Sequence, residues 1–273
     1  MIEFRDVGKT YPDGTVAVAD VSLTVPTGQT TVFVGSSGCG KTTLLRMVNR
    51  MVTPSHGAVL VDGVDVATCE PVALRRSIGY VMQNSGLLPH RKVIDNIATV
   101  PMLNGEPKAK AHAHALELMD LVGLDRAMAQ RYPAQLSGGQ QQRVGVARGL
   151  AADPAVLLMD EPFGAVDPIV RADLQRELRA LQSRLEKTIV FVTHDITEAF
   201  ALGDQIVILA VGGVIAQAGT PKQILTDPAD DFVRDFIGLS SGDRTLHLEP
   251  GPYGDDLVLD SLDRPVGRLG RSS

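Results

Sequence analysis

The chain has 273 residues, 44% of them hydrophobic and 21% charged, with a formal net charge of −6. Those proportions are those of an ordinary globular protein with ample material for a core. The acidic balance, without a basic run, argues against a nucleic-acid surface and against docking on anionic lipid by charge alone.

The first residues, Met1-Ile2-Glu3-Phe4-Arg5-Asp6, are not a secretory signal, since no apolar stretch follows a basic start. Residues 2–7 and 15–25 (Val16, Val18, Val21, Leu23, Val25) alternate apolar and polar, as antiparallel strands with one wet face do. Between them lies a turn carrying an aromatic ring, Tyr11-Pro12-Asp13-Gly14. The apolar run Thr31-Val32-Phe33-Val34 then leads into Gly35-Ser36-Ser37-Gly38-Cys39-Gly40-Lys41-Thr42-Thr43, which opens a helical pattern through Leu44, Leu45 and Val48. Strand, glycine-rich turn and helix are the context that the phosphate-binding pattern G-x-x-x-x-G-K-[ST] requires. The glycines let backbone N–H groups point inward, and a helix N-terminus adds partial positive charge. Lys41 is placed to reach the β- and γ-phosphates of a nucleotide, and the Thr42 hydroxyl suits a magnesium ligand. Cys39 reads as a small filler inside the loop. With Cys69 it makes only two cysteines, too few for a disulfide framework and fitting a reducing compartment.

A strand-like Ala58-Val59-Leu60-Val61 precedes a turn at Asp62-Gly63, and Ile78-Gly79-Tyr80-Val81-Met82 reads as a buried strand ending at Gln83. From 84 to 152 the period becomes helical, with Ala115, Leu118, Met119 and Val122 at spacings of three and four, so a helical insertion in an α/β core is expected. It closes with Leu136-Ser137-Gly138-Gly139-Gln140 at the start of another helix. Core strands resume at 156–159 and 189–193, joined by a charged amphipathic helix over about 168–186 whose Leu174, Leu178, Leu181 and Leu185 mark the buried side. A hairpin is expected over 206–217 with the two-residue turn Gly212-Gly213, then short helices near 222–225 and 231–237. Nowhere do 18 uncharged apolar residues run together, so any membrane role must come through a partner.

Four strands thus end in polar residues: the glycine-rich loop, Gln83, Asp160-Glu161 and His194. In an open parallel sheet, ligands bind beyond those carboxyl ends, so distant residues meet around one phosphate tail. Asp160 suits Mg²⁺, directly or through water, and Glu161 suits the general base that activates the attacking water. Two adjacent acids at a strand end also fit a helix cap and its neighbour. The Gln83 amide can contact metal and water without adding charge, or be merely polar. His194 can hydrogen-bond the γ-phosphate, or be an ordinary satisfied histidine. Ser137-x-x-Gln140 reads as a capping box, yet two glycines in a first helical turn cost roughly 1 kcal/mol each relative to alanine. They make sense if an anion approaches the backbone closely, and a second copy of the chain would present that anion, since Lys41 already serves one γ-phosphate.

Residues 35–43, Gln83, 136–140, 156–162, Ala165-Val166-Asp167 and His194 stand in the order and spacing of an ABC-transporter nucleotide-binding subunit, which the chain resembles over about 1–240. The D-loop reads Ala-Val-Asp where Ala-Leu-Asp is commoner. The resemblance implies an α/β P-loop NTPase core with a mainly parallel sheet, an N-terminal antiparallel β-subdomain and a helical subdomain at about 84–152. It implies a head-to-tail homodimer in which ATP lies between one chain's Gly35, Ser36, Ser37, Gly38, Cys39, Gly40, Lys41, Thr42 and Thr43 and the other's Leu136, Ser137, Gly138, Gly139 and Gln140. Tyr11 would stack on adenine; Gln83 would be the Q-loop residue, His194 the switch histidine and Asp167 the D-loop acid signalling across the dimer. Thr42, Gln83 and Asp160 would hold Mg²⁺, with Glu161, His194 and Gln83 catalytic.

Residues 159–171, 193–199, 202–204 and 231–238 resemble the osmoprotectant branch of the importers (glycine betaine, proline, choline, carnitine). That implies an ATPase at the cytoplasmic face of the membrane, partnered by permease subunits and indirectly by a solute-binding protein. Many members of the branch carry a tandem CBS module after the ATPase; the roughly 33 residues beyond Ser240 are too few for one, though 257–267 resembles a single CBS-style hairpin. An importer of another small solute and a non-transport ABC ATPase are the alternatives. The latter carries a long coiled coil or two cassettes, and neither is visible here.

Overall fold

The computed structural model describes residues 1–164, 167–240, 246–250 and 256–269, with 168–170, 181 and 183–185 as backbone only. Ala165 and Val166 of the expected D-loop, and the expected core side chains Leu181 and Leu185, lie outside the described residues.

Chain contacts divide the molecule into two compact units, Met1–Pro221 and Lys222–Ser273. The first opens with β1 (Ile2–Thr10) and β2 (Val16–Val25), joined through a turn in which Gly14 N–H donates to the Tyr11 carbonyl at 2.9 Å. β1 also pairs with β4 (His56–Val61), which turns tightly into β5 (Val64–Asp65), giving an antiparallel sheet in the order β2-β1-β4-β5. Between β2 and β4 the chain lays down β3 (Thr30–Gly35) and α1 (Lys41–Val48). α2 (Pro71–Ser77) follows β5; its first turn is capped by the Glu70 carboxylate, and Pro71 occupies a position where its missing N–H costs nothing. β6 (Ile78–Val81) is one residue shorter than expected, and Met82 stands half in solvent.

The expected helical region consists of α3 (Val93–Ile97), α4 (Thr99–Leu103), α5 (Lys108–Leu121) and α6 (Gly138–Leu150), with single-turn pieces at Arg126–Gln130 and Pro133–Gln135. α3, α5 and α6 pack on one another, burying Val93, Ile97, Ala115, Met119, Val144 and Ala147. α6 also lies on β6, where Gly79 and Gly149 allow the close approach: a Cβ on Gly79 would stand 2.3 Å from the Gly149 carbonyl.

β7 (Val156–Asp160), α7 (Pro168–Leu185), β8 (Thr188–Thr193), α8 (Ile196–Leu202), β9 (Gln205–Ala210) and β10 (Val214–Gly219) complete a six-stranded sheet in the order β10-β9-β3-β8-β7-β6. All its pairs are parallel except β9–β10. β3 and β8 are buried along their whole length, as central parallel strands covered on both faces must be. Leu174 and Leu178 of α7 are buried as expected. The β9–β10 hairpin turns through three residues, Val211-Gly212-Gly213, rather than two: Ala210 pairs with Val214, and both glycines take left-handed φ.

Among the described residues, α1 is enclosed between the two sheets. Leu44, Leu45, Met47 and Val48 are at most 1% exposed, each contributing about 1.5–3 kcal/mol relative to exposure, and Phe4 meets Phe33 edge-on at 6.1 Å. This fixes the helix whose N-terminus follows the glycine-rich loop. The second unit contains α9 (Pro221–Thr226, beginning at its boundary), α10 (Asp231–Phe236) and an antiparallel sheet β11-β12-β13 (His247–Pro250, Asp256–Leu259, Pro265–Leu269). The hairpin expected over 257–267 is β12–β13; the third strand was not foreseen.

Candidate functional site

The glycine-rich loop turns from β3 into α1 through backbone that only glycine adopts comfortably. Gly38 and Gly40 sit at φ 80° and 97°, and a Cβ on Gly40 would stand 2.3 Å from the Ala17 carbonyl of β2. No side chain caps the first turn of α1, so its N–H donors face the hollow of the loop. Lys41 is 4% exposed, and its amine donates to the carbonyls of Gly35 and Ser36, each at 2.8 Å. The cleft above it, about 180 Å³, is lined by Ala17, residues 37–38 and 40–43, and Glu161. Buried Cys39 fills space, as expected.

Asp160 ends β7 at 6% exposure. Its Oδ1 accepts from the Thr42 hydroxyl at 2.8 Å; its Oδ2 accepts from the Tyr80 hydroxyl at 3.0 Å and from Arg46 Nη2 at 3.2 Å. Tyr80 and Arg46 were not singled out from the sequence, although two signals existed. Arg46 lies one helical turn after Thr42 and shares its face. Tyr80 is in register with Leu158, two residues before Asp160 on the same side of the sheet. Burial pushes the Tyr80 phenol up to about 12, so it stays protonated and donates. The hydrogen bond to Tyr80 raises Arg46 further.

Glu161 follows at φ 44°, a left-handed backbone costly for a glutamate, held by its N–H on the Val192 carbonyl at 3.0 Å and by Gly164 N–H on its own carbonyl at 3.1 Å. Its Oε2 accepts from Gln83 Nε2 at 3.3 Å and from Nδ1 of His194 at 3.2 Å. Four expected site residues, Gln83, Asp160, Glu161 and His194, therefore stand with the loop at the carboxyl ends of β6, β7, β8 and β3. In its contact with Glu161, Nδ1 carries the proton, so Nε2 of a neutral His194 is an acceptor.

Behind His194 lies a buried polar knot. Glu198, 5% exposed, accepts from the Thr193 hydroxyl at 2.6 Å and from Gln175 Nε2 at 3.2 Å, and burial pushes its carboxyl up. Gln175 belongs to α7, whose start takes an Arg171 N–H bond to the carbonyl of exposed Asp167 at 2.8 Å.

The turn at 136–140 is a capping box in fact: Ser137 Oγ accepts from Gln140 N–H at 3.3 Å, and Gln140 Oε1 accepts from Ser137 N–H at 3.0 Å. Leu136 is buried, while Ser137 and Gly138 are exposed. Among the described residues, the side-chain hydrogen bonds of this turn stay within 133–141. Tyr11 is 37% exposed on the β1–β2 turn, with the Lys9 amine 5.3 Å from its ring centre. The segment 84–96 is riveted by Asn96, which is fully buried and bonds Leu88 N–H and the carbonyls of Leu88, Arg91 and Lys92.

Among the described residues no three His, Cys, Asp or Glu side chains cluster as a metal site. One carboxylate beside one hydroxyl next to a phosphate cradle is nonetheless a donor set that suits Mg²⁺, which takes few protein ligands and keeps substrate phosphates and waters.

A family profile described as ABC transporter matches residues 18–164. The chain is 51% identical over 238 residues to the choline transport ATP-binding protein OpuBA of Bacillus subtilis (strain 168), covering 87% of this chain and 62% of that protein. It is 49% identical over 249 residues to the glycine betaine uptake system ATP-binding protein YehX of Escherichia coli (strain K12), covering 91% of this chain and 80% of that one. The dimeric post-hydrolysis structure of the ATP-binding cassette MJ0796 bound to ADP and Pi superposes with a TM-score of 0.74 at 31% identity, over 81% of this chain and 99% of that one. This chain thus spans four fifths of YehX but less than two thirds of OpuBA.

Proposed function

The chain belongs to the ABC transporter family and has the ABC ATPase fold, and from this we propose that it binds and hydrolyses ATP to energise a membrane importer of compatible solutes such as glycine betaine, proline, choline or carnitine. The observation that carries the reading is the meeting of Lys41, Thr42, Asp160, Glu161, Gln83 and His194 at the ends of adjacent parallel strands.

Lys41 and the α1 N-terminus hold the β- and γ-phosphates, and Tyr11 stacks on adenine. Thr42, Asp160 and Gln83 would hold Mg²⁺, which when bound would supply positive charge against the phosphate tail. Glu161 takes a proton from a water positioned by Gln83. The water oxygen bonds to the γ-phosphorus, the bond from phosphorus to the β–γ bridging oxygen breaks, and ADP and phosphate leave. His194 keeps Glu161 oriented through Nδ1–H; to donate to the γ-phosphate through Nε2 as well, it must be doubly protonated. The 136–140 turn of a second copy closes over the same γ-phosphate, and Asp167 reports between the copies.

No helix among the described residues is long and apolar enough to cross a membrane. The chain works at the cytoplasmic face through permease subunits, whose coupling segment docks against 84–96, with a solute-binding protein choosing the cargo. Uptake of labelled betaine, choline and proline in cells with and without this chain, at raised osmolarity, tests the assignment. Loss of uptake of one of them supports it, and unchanged uptake of all three contradicts it.

A further inference from the structure

Arg148 lies on α6 about three turns beyond Ser137. Its Nη1 donates to the Gly86 carbonyl at 2.7 Å and its Nη2 to the Ser85 carbonyl at 2.6 Å. Those acceptors belong to a tight bend two and three residues beyond Gln83. Ser85 and Gly86 sit at φ 52° and 55°, and Ser85 N–H donates to the Met82 carbonyl at 3.0 Å. One turn earlier on α6, a Cβ on Gly145 would stand 3.6 Å from Ser85, so the bend lies flat on the helix. The side chain is half-buried, partial desolvation pulls its pKa down from the ordinary value, and among the described residues no carboxylate pairs with it. A half-buried cation satisfied by carbonyls alone is a costly way to hold a loop. What it supplies that an apolar contact would not is direction: a planar fork fixes two acceptors at once.

We propose that Arg148 is a positioning residue that couples the Gln83 loop to the helix bearing the 136–140 turn, so that movement of that turn is felt at Glu161. α6 carries the turn at its N-terminus and the guanidinium strap near its C-terminus; the strap holds the Ser85–Gly86 backbone; Gln83 contacts Glu161 at 3.3 Å. The coupling rests on the role given above to Gln83.

The test is a double-mutant cycle in the full chain, read by kcat and KM for ATP, by affinity for a fluorescent ATP analogue, and by hydrogen exchange of the amides at 83–88. Arg148→Met should lower kcat about tenfold with KM and analogue affinity within about twofold, and speed exchange at 83–88 about tenfold while the β3 and β8 amides stay protected. Arg148→Lys should recover part of both effects. In a Gln83→Ala background, Arg148→Met should cost at most about twofold more in kcat. Losses that multiply in the double variant would overturn the coupling. Faster exchange throughout the chain, or none at 83–88, would reduce Arg148 to general scaffolding and overturn it equally. If Gln83→Ala alone leaves kcat unchanged, the role of Gln83 fails and the catalytic coupling with it, while the exchange arm still decides whether Arg148 holds the loop. Should Arg148→Met not fold, Arg148→Lys and Arg148→Gln carry the same cycle.

Discussion

Replacing Tyr80 with phenylalanine removes one oxygen from the site and leaves the ring in place. Asp160 loses one of three donors, the one at 3.0 Å, while keeping Thr42 at 2.8 Å and Arg46 at 3.2 Å. A hydrogen bond to a charged, buried acceptor is worth about 1.5–3 kcal/mol, so Tyr80→Phe should destabilise the chain by roughly 2 kcal/mol. Arg46→Met removes a full charge, yet the Arg46 side chain is 44% exposed, a setting in which ion pairs are worth about 0–1 kcal/mol, and methionine retains the apolar stem. The neutral hydroxyl should therefore matter more than the cation. Urea unfolding of the nucleotide-free chain near neutral pH measures both, with the phenol fully protonated because burial holds it near 12. A cost below about 0.5 kcal/mol for Tyr80→Phe, or a larger one for Arg46→Met, would refute the view that buried hydroxyls secure Asp160.

Glu198 gives a pH signature. Burial raises its folded pKa above the ordinary 4.5, so its contribution to stability is complete below that value and is lost as pH rises through the folded pKa. Non-ionisable Glu198→Gln should gain on the parent from pH 5 towards neutrality in urea melts; a difference that does not change with pH refutes the assignment. Gly40→Ala forces a Cβ to 2.3 Å from a backbone carbonyl at φ 97°, and should weaken binding of a fluorescent ATP analogue at least about tenfold; an affinity within about twofold of the parent would show that the loop yields. Ser137→Ala should cost about 1 kcal/mol through the lost cap and Ser137→Asn only a few tenths, measured by thermal unfolding; equal costs would mean the cap contributes nothing.

The reach of the sequence followed chemistry that is local in the chain. Each apolar run ending in a polar residue located the carboxyl end of a parallel strand, and that was enough to collect Gln83, Asp160, Glu161 and His194. The capping box at Ser137 was visible because its partners are three residues apart. α2 was not seen because seven residues give little periodicity, although Glu70-Pro71 is a usable start signal. The Gly212-Gly213 turn was read one residue short because two glycines fit a two-residue loop as well as a three-residue one. Arg148 was illegible because its partners, the carbonyls of Ser85 and Gly86, are brought near only by the tertiary fold, as is Gln175 beside Glu198; Asn96 bonds backbone groups four to eight residues away, and backbone acceptors leave no mark in the residue pattern. Tyr80 hid within an apolar run, where an aromatic reads as core.

The central claim is that two copies share each ATP, one giving the glycine-rich loop and the other the 136–140 turn. Gel filtration of Glu161→Gln with and without ATP tests it, alongside the same chain carrying Ser137→Arg. The account predicts that Glu161→Gln elutes as a dimer only with ATP, and that adding Ser137→Arg returns it to monomer while fluorescent-nucleotide binding is retained. An ATP-dependent dimer that forms undiminished with arginine at position 137 would contradict it.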